Sequence, residues 1–375
     1  MSQGSNQDFC RGCGSPIQTV NPREPGFVPE QVHQKSGNGM ICQRCYRLTN
    51  YGEKGAVQPK LHQIQQAVAK GIDQSQLLVL VADFSDLTGT LPIWSGFLGD
   101  KPYLLAVNKS DLVPERTEAG EIRAYLENYL IRHSLAKPRA VLLVNTVTRT
   151  GGITALADQI CVNAPPRSKI ALLGATNVGK SSLINRFLMK EHSKIGPTVS
   201  KYPGTTMGLS NWSILEGRNT LVDTPGLVPG DRLGDVLCPD CASALVAGGK
   251  MGQKLWGLKP GQGLILGGLF GIEPLAAAEE SVLISFGSPL LKQHRTAVAK
   301  IGPYLEEGPD WLVHYCKECR AKLNWQVGEA ALEPNQDLAV AGLGWVSLRG
   351  RAGRFRIRLP RGVRWEIRPA LVGKK

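Results

Sequence analysis

The string Gly174-Ala-Thr-Asn-Val-Gly-Lys-Ser181 constrains this chain more than any other feature. It follows the apolar run Ile170 to Leu173 and precedes the helical pattern Ser182 to Met189. Strand, glycine-bearing loop and helix in that order make a phosphate cradle. The glycines let backbone N–H groups close on a β-phosphate, Lys180 bridges the β- and γ-phosphates, and the Ser181 hydroxyl reaches Mg²⁺. Gly174, Asn177, Val178, Gly179 and Ser182 complete the expected contacts. Such a loop sits at the carboxyl end of a strand in a doubly wound sheet, so the expected fold class is α/β.

Two further segments belong with that cradle. Asn219-Thr-Leu-Val-Asp223-Thr-Pro-Gly226 ends an apolar strand in a carboxylate, where a P-loop enzyme holds the Mg²⁺ shell, and Gly226 can offer its N–H to a γ-phosphate. Tyr202-Pro-Gly-Thr-Thr206 is rich in turn formers, as befits a switch whose threonine joins Mg²⁺ only when the γ-phosphate is present; of its two threonines, Thr206 is preferred over Thr205. Ser181, Thr206 and Asp223 are therefore the expected Mg²⁺ residues.

The base is read elsewhere. Asn108-Lys-Ser-Asp111 closes the apolar run Tyr103 to Val107. The Asp111 carboxylate can accept from guanine N1–H and the exocyclic amine, Asn108 addresses O6 and N7, and the stem of Lys109 packs on the ring. Adenine would leave that carboxylate unpaired, which supports discrimination of about 10⁴-fold. A second base loop, Asn145-Thr146 through Gly152, follows the strand Ala140 to Val144 and should still bring a backbone N–H to guanine O6. The expected ligand is GTP or GDP with Mg²⁺.

The base-reading loops precede the phosphate loops, so the nucleotide domain is circularly permuted. Because domain termini lie close together at the surface, joining the old ends and cutting elsewhere preserves a doubly wound sheet. Here the joint is Asn163-Ala-Pro-Pro-Arg-Ser168, between the helix Ile153 to Cys161 and the P-loop strand. The chain then leaves the domain directly after Asp223 to Pro229, so nucleotide state is expected to pull on the C-terminal domain. Leu227 stands where many such hydrolases carry a water-orienting glutamine, and catalysis is expected to fall to Lys180, Asn177 and Gly226 through electrostatic stabilisation.

Of nine cysteines, all but Cys161 stand in C-x-x-C pairs. Cys10, Cys13, Cys42 and Cys45 have the spacing of a closed four-thiolate zinc site, in a segment with too few large apolar residues to fold unaided. Its Arg23, His33, Lys35, Arg44, Tyr46, Arg47 and Tyr51 suit either a nucleic-acid face or a solvated surface. Cys238, Cys241, Cys316 and Cys319 form either a second zinc site or two unrelated thiol pairs.

The expected domains are a zinc finger at 8–55, the permuted nucleotide domain at 56–235 and a β-rich domain at 236–375. In the last, strands are expected at Gly263 to Leu269, Ser281 to Phe286, Asp337 to Gly342, Gly344 to Leu348 and Arg354 to Leu359. That final strand buries Phe355, Ile357 and Leu359 and turns Arg354, Arg356 and Arg358 outward, as an RNA-facing ribbon or as a solvated edge. The net charge of +13, concentrated beyond residue 349, favours a phosphate-rich partner. With no apolar run long enough to span a bilayer and no secretory pattern, a cytoplasmic, membrane-free monomer is expected.

Two Cys-x-x-Cys pairs, Asn-Lys-Ser-Asp, the P-loop, Pro-Gly-Thr-Thr and Asp-Thr-Pro-Gly in this order resemble the YqeH family of circularly permuted ribosome-assembly GTPases. Val340-Ala-Gly-Leu-Gly-Trp345 resembles it too, whereas the cysteines at 238, 241, 316 and 319 depart from it. The resemblance implies slow GTP hydrolysis and a role in maturing the small ribosomal subunit, with finger and C-terminal domain on rRNA. In glutamine-lacking GTPases of this kind the asparagine equivalent to Asn177 helps bind K⁺, so K⁺-stimulated turnover is expected; otherwise Asn177 hydrogen-bonds within its loop. Two other functions compete: a zinc-dependent RNA-binding adaptor with a structural nucleotide, and a GTPase serving another RNA such as tRNA.

Overall fold

A computed structural model of the chain describes residues 17–21, 26–33, 42–43, 61–114, 117–148, 151–192, 202–203, 209–243, 245, 250–275 and 280–372. They fall into two compact units, residues 1–60 with 181–197 and residues 61–180 with 198–375. In the first, Gln18 pairs with Phe27, a turn of helix follows at Glu30–His33 (α1), and buried Val28 packs with Cys42 and Ile17. Cys10, Cys13, Cys45 and the switch threonine Thr206 lie outside the described residues, as do most of residues 8–55. Helix α6 (Lys180–His192) enters this unit at Ser181.

The second unit is built around a seven-stranded sheet: β1 (Leu77–Asp83), β2 (Tyr103–Asn108), β3 (Ala140–Leu143), β4 (Lys169–Gly174), β5 (Tyr202–Pro203), β6 (Ser210–Ile214) and β7 (Asn219–Asp223), in the order β3-β2-β1-β4-β7-β6-β5. The first three strands, β4 and β7 run parallel, and β6 and β5 are antiparallel. All seven residues of Leu77-Leu-Val-Leu-Val-Ala-Asp83 are buried, as a parallel strand covered on both faces requires. Helices α2 (Leu61–Asp73), the short α3 (Leu87–Thr90), α4 (Ala119–Arg132) and α5 (Ile153–Asn163) provide cover. In α4, Ile122, Tyr125, Leu126, Tyr129 and Leu130 recur at helical spacing on one buried face. The P-loop strand β4 lies between β1 and β7, so the permuted order does restore a contiguous sheet with the phosphate and base loops along one edge.

Two antiparallel five-stranded sheets follow. One has the order β12-β9-β10-β16-β13, from β9 (Gln262–Leu266), β10 (Phe270–Pro274), β12 (Gln293–Ala297), β13 (Trp325–Leu332) and β16 (Gly353–Pro360). The other has the order β17-β14-β15-β11-β8, from β8 (Gly252–Leu258), β11 (Ser281–Gly287), β14 (Gln336–Val340), β15 (Gly344–Leu348) and β17 (Trp365–Pro369). They share a core that includes Leu264, Phe270, Leu283, Val346, Phe355 and Ile357. The short helices α7 (Leu233–Val236) and α8 (Pro239–Ser243) lead into it, and α9 (Val298–Glu307) and α10 (Lys317–Lys322) come later.

Two expectations are corrected here. The strand expected at Gly263 to Leu269 stops at Leu266, because the chain turns at Gly267-Gly268 and pairs back from Phe270, which stands opposite Leu266. The arginine-bearing strand β16 is not an edge: it pairs with β10 on one side and β13 on the other, so its polar face is not protection against edge aggregation. Phe355, Ile357 and Leu359 are buried as expected.

The outer face of the second β-sheet packs on the nucleotide-binding layer. Met251, Phe286, Ala339, Trp345, Leu371 and Val372 lie in one continuous core with Phe84, Leu87 and the strands around them. Trp345 stacks on Phe286 with centroids 5.0 Å apart and meets the edge of Phe84 at 6.4 Å.

Candidate nucleotide-binding site

The two halves of the site are joined by one side chain. Asn108 at the end of β2 is fully buried, and its amide nitrogen donates 2.8 Å to the carbonyl of Val178 in the P-loop. Its Oδ1 is buried with no protein partner. The sequence assigns Asn108 to the base, yet its fixed contact is a strut that sets the base loop beside the cradle. Gly179 is required at this crossing, because its φ of +93° is left-handed and an added Cβ would stand 2.2 Å from the Asn108 amide nitrogen.

Lys109, in left-handed backbone conformation at φ 61°, forms an ion pair with Asp83 at the end of β1. Asp83 is itself held by the backbone and hydroxyl of Ser85 at 2.9 and 2.6 Å. The lysine stem is thereby fixed, a role for Asp83 that the sequence did not reveal. Asp111, partly exposed, has no hydrogen bond or ion pair among the described residues, which leaves its carboxylate available to a base. Ser110 donates 3.0 Å to the Val144 carbonyl, tying the two base loops together. In the second loop, Asn145 Oδ1 accepts from the Thr148 backbone and hydroxyl, both at 2.9 Å, so Asn145 shapes the loop that presents Thr146.

In the cradle, Lys180 Nζ donates to the carbonyls of Gly174 at 2.9 Å and Ala175 at 3.3 Å. Burial presses its ammonium down to about 8 despite the pull of Asp223, and burial pushes the Asp223 carboxyl up to about 6 despite Lys180. Both groups are more easily charged once opposite charge arrives, as an incoming phosphate and cation would supply. Gly226 is in close quarters: a Cβ there would lie 3.0 Å from Lys180 Nζ. Thr176 N donates to the Leu227 carbonyl at 2.8 Å, locking the Asp223–Gly226 loop against the cradle. Leu227 is buried in the core, so no side chain from that position reaches the phosphates. Asn177 is exposed at φ 66°, facing the same recess as Lys109 and Arg232. Ser181 and Ser182 open α6 in sequence directly after Lys180.

One residue that sequence reading missed reaches the cradle. Arg232, buried just past the Asp223 loop, donates from Nη1 to the Thr176 carbonyl at 3.0 Å and from Nη2 to the Thr176 hydroxyl at 2.6 Å. Asp235 holds the same guanidinium at 2.8 and 3.0 Å. Beside it, Asp86 Oδ1 accepts from the N–H of Gly89 at 3.0 Å and of Gly342 at 2.9 Å, the latter in the β14–β15 turn. Burial pushes the Asp86 carboxyl up to about 7, with the Gly342 N–H opposing and the Asp83 carboxylate adding to the rise.

The donor set fits a magnesium-bound guanine nucleotide. It comprises an unpaired carboxylate at Asp111, an orphaned buried acceptor on Asn108, a lysine in a cage of carbonyls and a carboxylate beside it. The cation would neutralise charge on the phosphate oxygens. Away from this site, Arg354, Arg356 and Arg358 share one face of β16, where Arg354 pairs with Glu329 and Arg356 with buried Glu273 at 2.9 Å. Cys238, Cys241, Cys316 and Cys319 bring their sulfurs together in a group compatible with zinc. No helix among the described residues is long and apolar enough to cross a membrane.

The profile of the family described as "50S ribosome-binding GTPase" matches residues 169–243. YqeH of Bacillus subtilis is 27% identical over 97% of this chain and 99% of its own. NO-associated protein 1, chloroplastic/mitochondrial, of Arabidopsis thaliana is 25% identical over 90% of this chain and 69% of its own. Small ribosomal subunit biogenesis GTPase RsgA of Opitutus terrae is 33% identical over a shorter stretch, 33% of this chain and 30% of that protein.

Proposed function

We propose that this chain, a circularly permuted GTPase of the YqeH type, uses its nucleotide state to bind and leave a precursor of the small ribosomal subunit. The observation that carries the GTPase chemistry is the Asn108–Val178 hydrogen bond, which sets a guanine-selective carboxylate and a triphosphate cradle side by side. Asp111 selects the base. Lys180 and the P-loop amides stabilise charge that develops between the β- and γ-phosphates, while Ser181, Asp223 and Thr206 take the cation. With Leu227 turned into the core, hydrolysis is slow, and Asn177 supports a K⁺ ion that supplies the missing positive charge.

Control by nucleotide state is supported by Arg232, which grips the P-loop at Thr176 and lies one residue before the backbone contact from Leu233 N to the Ala341 carbonyl, 2.9 Å, in the C-terminal sheets. A change in the cradle thus has a short polar route to that module. The RNA-facing elements on this reading are the N-terminal zinc finger and the Arg354, Arg356 and Arg358 face, whose pairing with carboxylates makes it a weaker electrostatic surface than three free arginines. The protein acts as a cytoplasmic monomer. The buried Leu227 also favours a second reading, an RNA-binding adaptor whose nucleotide is mostly structural.

The family description and the name of RsgA point to different particles, the large subunit in the first and the small in the second. Gradient sedimentation of extracts from cells depleted of the protein separates them. Loss of small subunits with accumulation of their precursor is expected; a deficit confined to large subunits, or a normal profile, overturns the small-subunit assignment. Purified protein should turn over GTP faster in KCl than in NaCl with subunits present, and a background rate under both salts would leave the adaptor reading standing instead.

A further inference from the structure

We propose that Cys238, Cys241, Cys316 and Cys319 bind one zinc ion that clamps the segment leaving the γ-phosphate loop to the C-terminal sheets. The four sulfurs come from two knuckles far apart in sequence, yet all lie within 4.8 Å of one another. A tetrahedral site with Zn–S bonds of about 2.3 Å sets its sulfurs about 3.8 Å apart, so little movement separates this arrangement from coordination. A cluster of several irons does not fit among sulfurs this close.

Both pairs are built alike. Cys238 precedes α8 and Cys316 precedes α10, so each C-x-x-C opens a turn of helix and points its two thiols to one side. Backbone N–H groups are aimed at the sulfurs: Cys316 N donates to Cys241 Sγ at 3.1 Å, Cys238 N to Cys319 Sγ at 3.2 Å and Cys319 N to Cys316 Sγ at 3.4 Å. Hydrogen bonds of this kind support thiolates that carry negative charge to a metal. Two of these contacts cross from one knuckle to the other, so the two pairs are organised as a single site rather than as unrelated thiols. Cys241 and Cys319 are buried in the core between the sheets, while Cys238 and Cys316 are partly exposed, which gives an ion a way in. No position remains for water in a four-thiolate shell, so the metal is structural.

The place of the site defines its purpose. Cys238 follows Arg232 by six positions, and between them Leu233 packs in the same core as Cys241 and Cys319. Across the site, Tyr315 next to Cys316 donates 2.9 Å to the Gly268 carbonyl in the β9–β10 turn. The ion therefore fixes the far end of the Arg232 segment to the β-sheets, so that movement at the cradle is passed to the module instead of being absorbed by a slack connection.

The test uses the full-length chain. Zinc is measured per chain in a variant lacking the N-terminal finger thiols (C10S/C13S/C42S/C45S) and again after adding C316S/C319S. One equivalent is expected in the first protein and none in the second, whatever the finger itself binds. In the wild-type chain, cysteine alkylation followed by mass spectrometry should find Cys238, Cys241, Cys316 and Cys319 protected until a chelator is added, with Cys161 reacting throughout. This measurement stands even if the variants fail to fold. Disulfides within the group, iron in place of zinc, or thiols that react as fast as Cys161 without chelator would overturn the proposal.

Discussion

Among the described residues, two of the polar joints between the nucleotide-binding layer and the C-terminal sheets are built on opposite principles. At the outer joint Glu366 of β17 accepts from Thr88 at 2.6 Å and Tyr129 at 2.5 Å and pairs with His133 at 2.9 Å, while Arg132 donates 3.0 Å to the Ile367 carbonyl. Arg368 covers Trp345 at 5.2 Å and donates to Thr88 at 3.2 Å. The carboxylate is saturated with donors, and among the described residues no hydrogen bond runs from these side chains to a nucleotide loop. At the inner joint one guanidinium, Arg232, is divided between Thr176 of the P-loop and Asp235, beside the Asp86 carboxyl that burial pushes up to about 7. The outer joint is a fixed attachment; the inner one can be rearranged by what occupies the cradle.

The sharpest way to separate them is pH. Burial alone would raise the Glu366 carboxyl, but His133, Thr88 and Tyr129, with Arg368, hold it down at about 2. Its folded value lies below its ordinary 4.5, so its contribution to stability is complete above pH 4.5 and is lost as pH falls through about 2. Asp86 runs the other way. Its folded value of about 7 lies above the ordinary 3.8, so its contribution is greatest below pH 3.8 and disappears as pH rises to 7. The displacements correspond to about 3 kcal/mol for Glu366 and about 4 kcal/mol for Asp86. Urea midpoints of Asp86→Asn should lose the decline between pH 4 and 7 and exceed wild type at neutrality. Those of Glu366→Gln should fall at neutrality and lose the acid slope. Parallel profiles for the two variants would mean that the joints are not different in kind.

Turnover should divide the joints next. Removing the Arg232 side chain strips two hydrogen bonds from Thr176 and takes away the ion-pair partner of Asp235, a loss of about 1.5–3 kcal/mol for bonds to a charged group. If the P-loop geometry depends on that grip, Arg232→Ala lowers GTP turnover about 10- to 100-fold. Glu366→Gln leaves it within about twofold, since the outer joint holds no part of the cradle. Equal losses in both variants would make Arg232 merely another structural contact.

The contrast also separates what the sequence displays from what it hides. The cradle and the base loop are legible because phosphate and guanine dictate residue type at fixed spacing, as in Gly174 to Ser181 and Asn108 to Asp111. Arg232, Asp86 and Glu366 carry no such pattern. Their partners come from chain positions far away, at Thr176, Gly342 and Thr88, and only the folded sheet order brings them together. The cysteines fall between: each pair is visible as a knuckle, but their convergence needs α8 and α10 to meet. The break at Gly267 was hidden for a local reason, because an apolar run with interspersed glycines reads equally as a strand or as a hairpin.

The smallest expected effect probes the inner joint without touching either charge. Gly342 sits at φ +77°, donates to Asp86, and a Cβ there would lie 3.0 Å from Leu233 N and 3.3 Å from Arg232 Cβ. Gly342→Ala should cost about 1–2 kcal/mol of stability from the left-handed backbone alone, read by urea denaturation. If Gly342 acts on the cradle through Arg232, the accompanying loss of turnover should be about two- to fivefold and should vanish in an Arg232→Ala background. A loss that persists there, additive with that of Arg232→Ala, would show that the β14–β15 turn influences the P-loop by another path and that the inner joint is broader than one guanidinium.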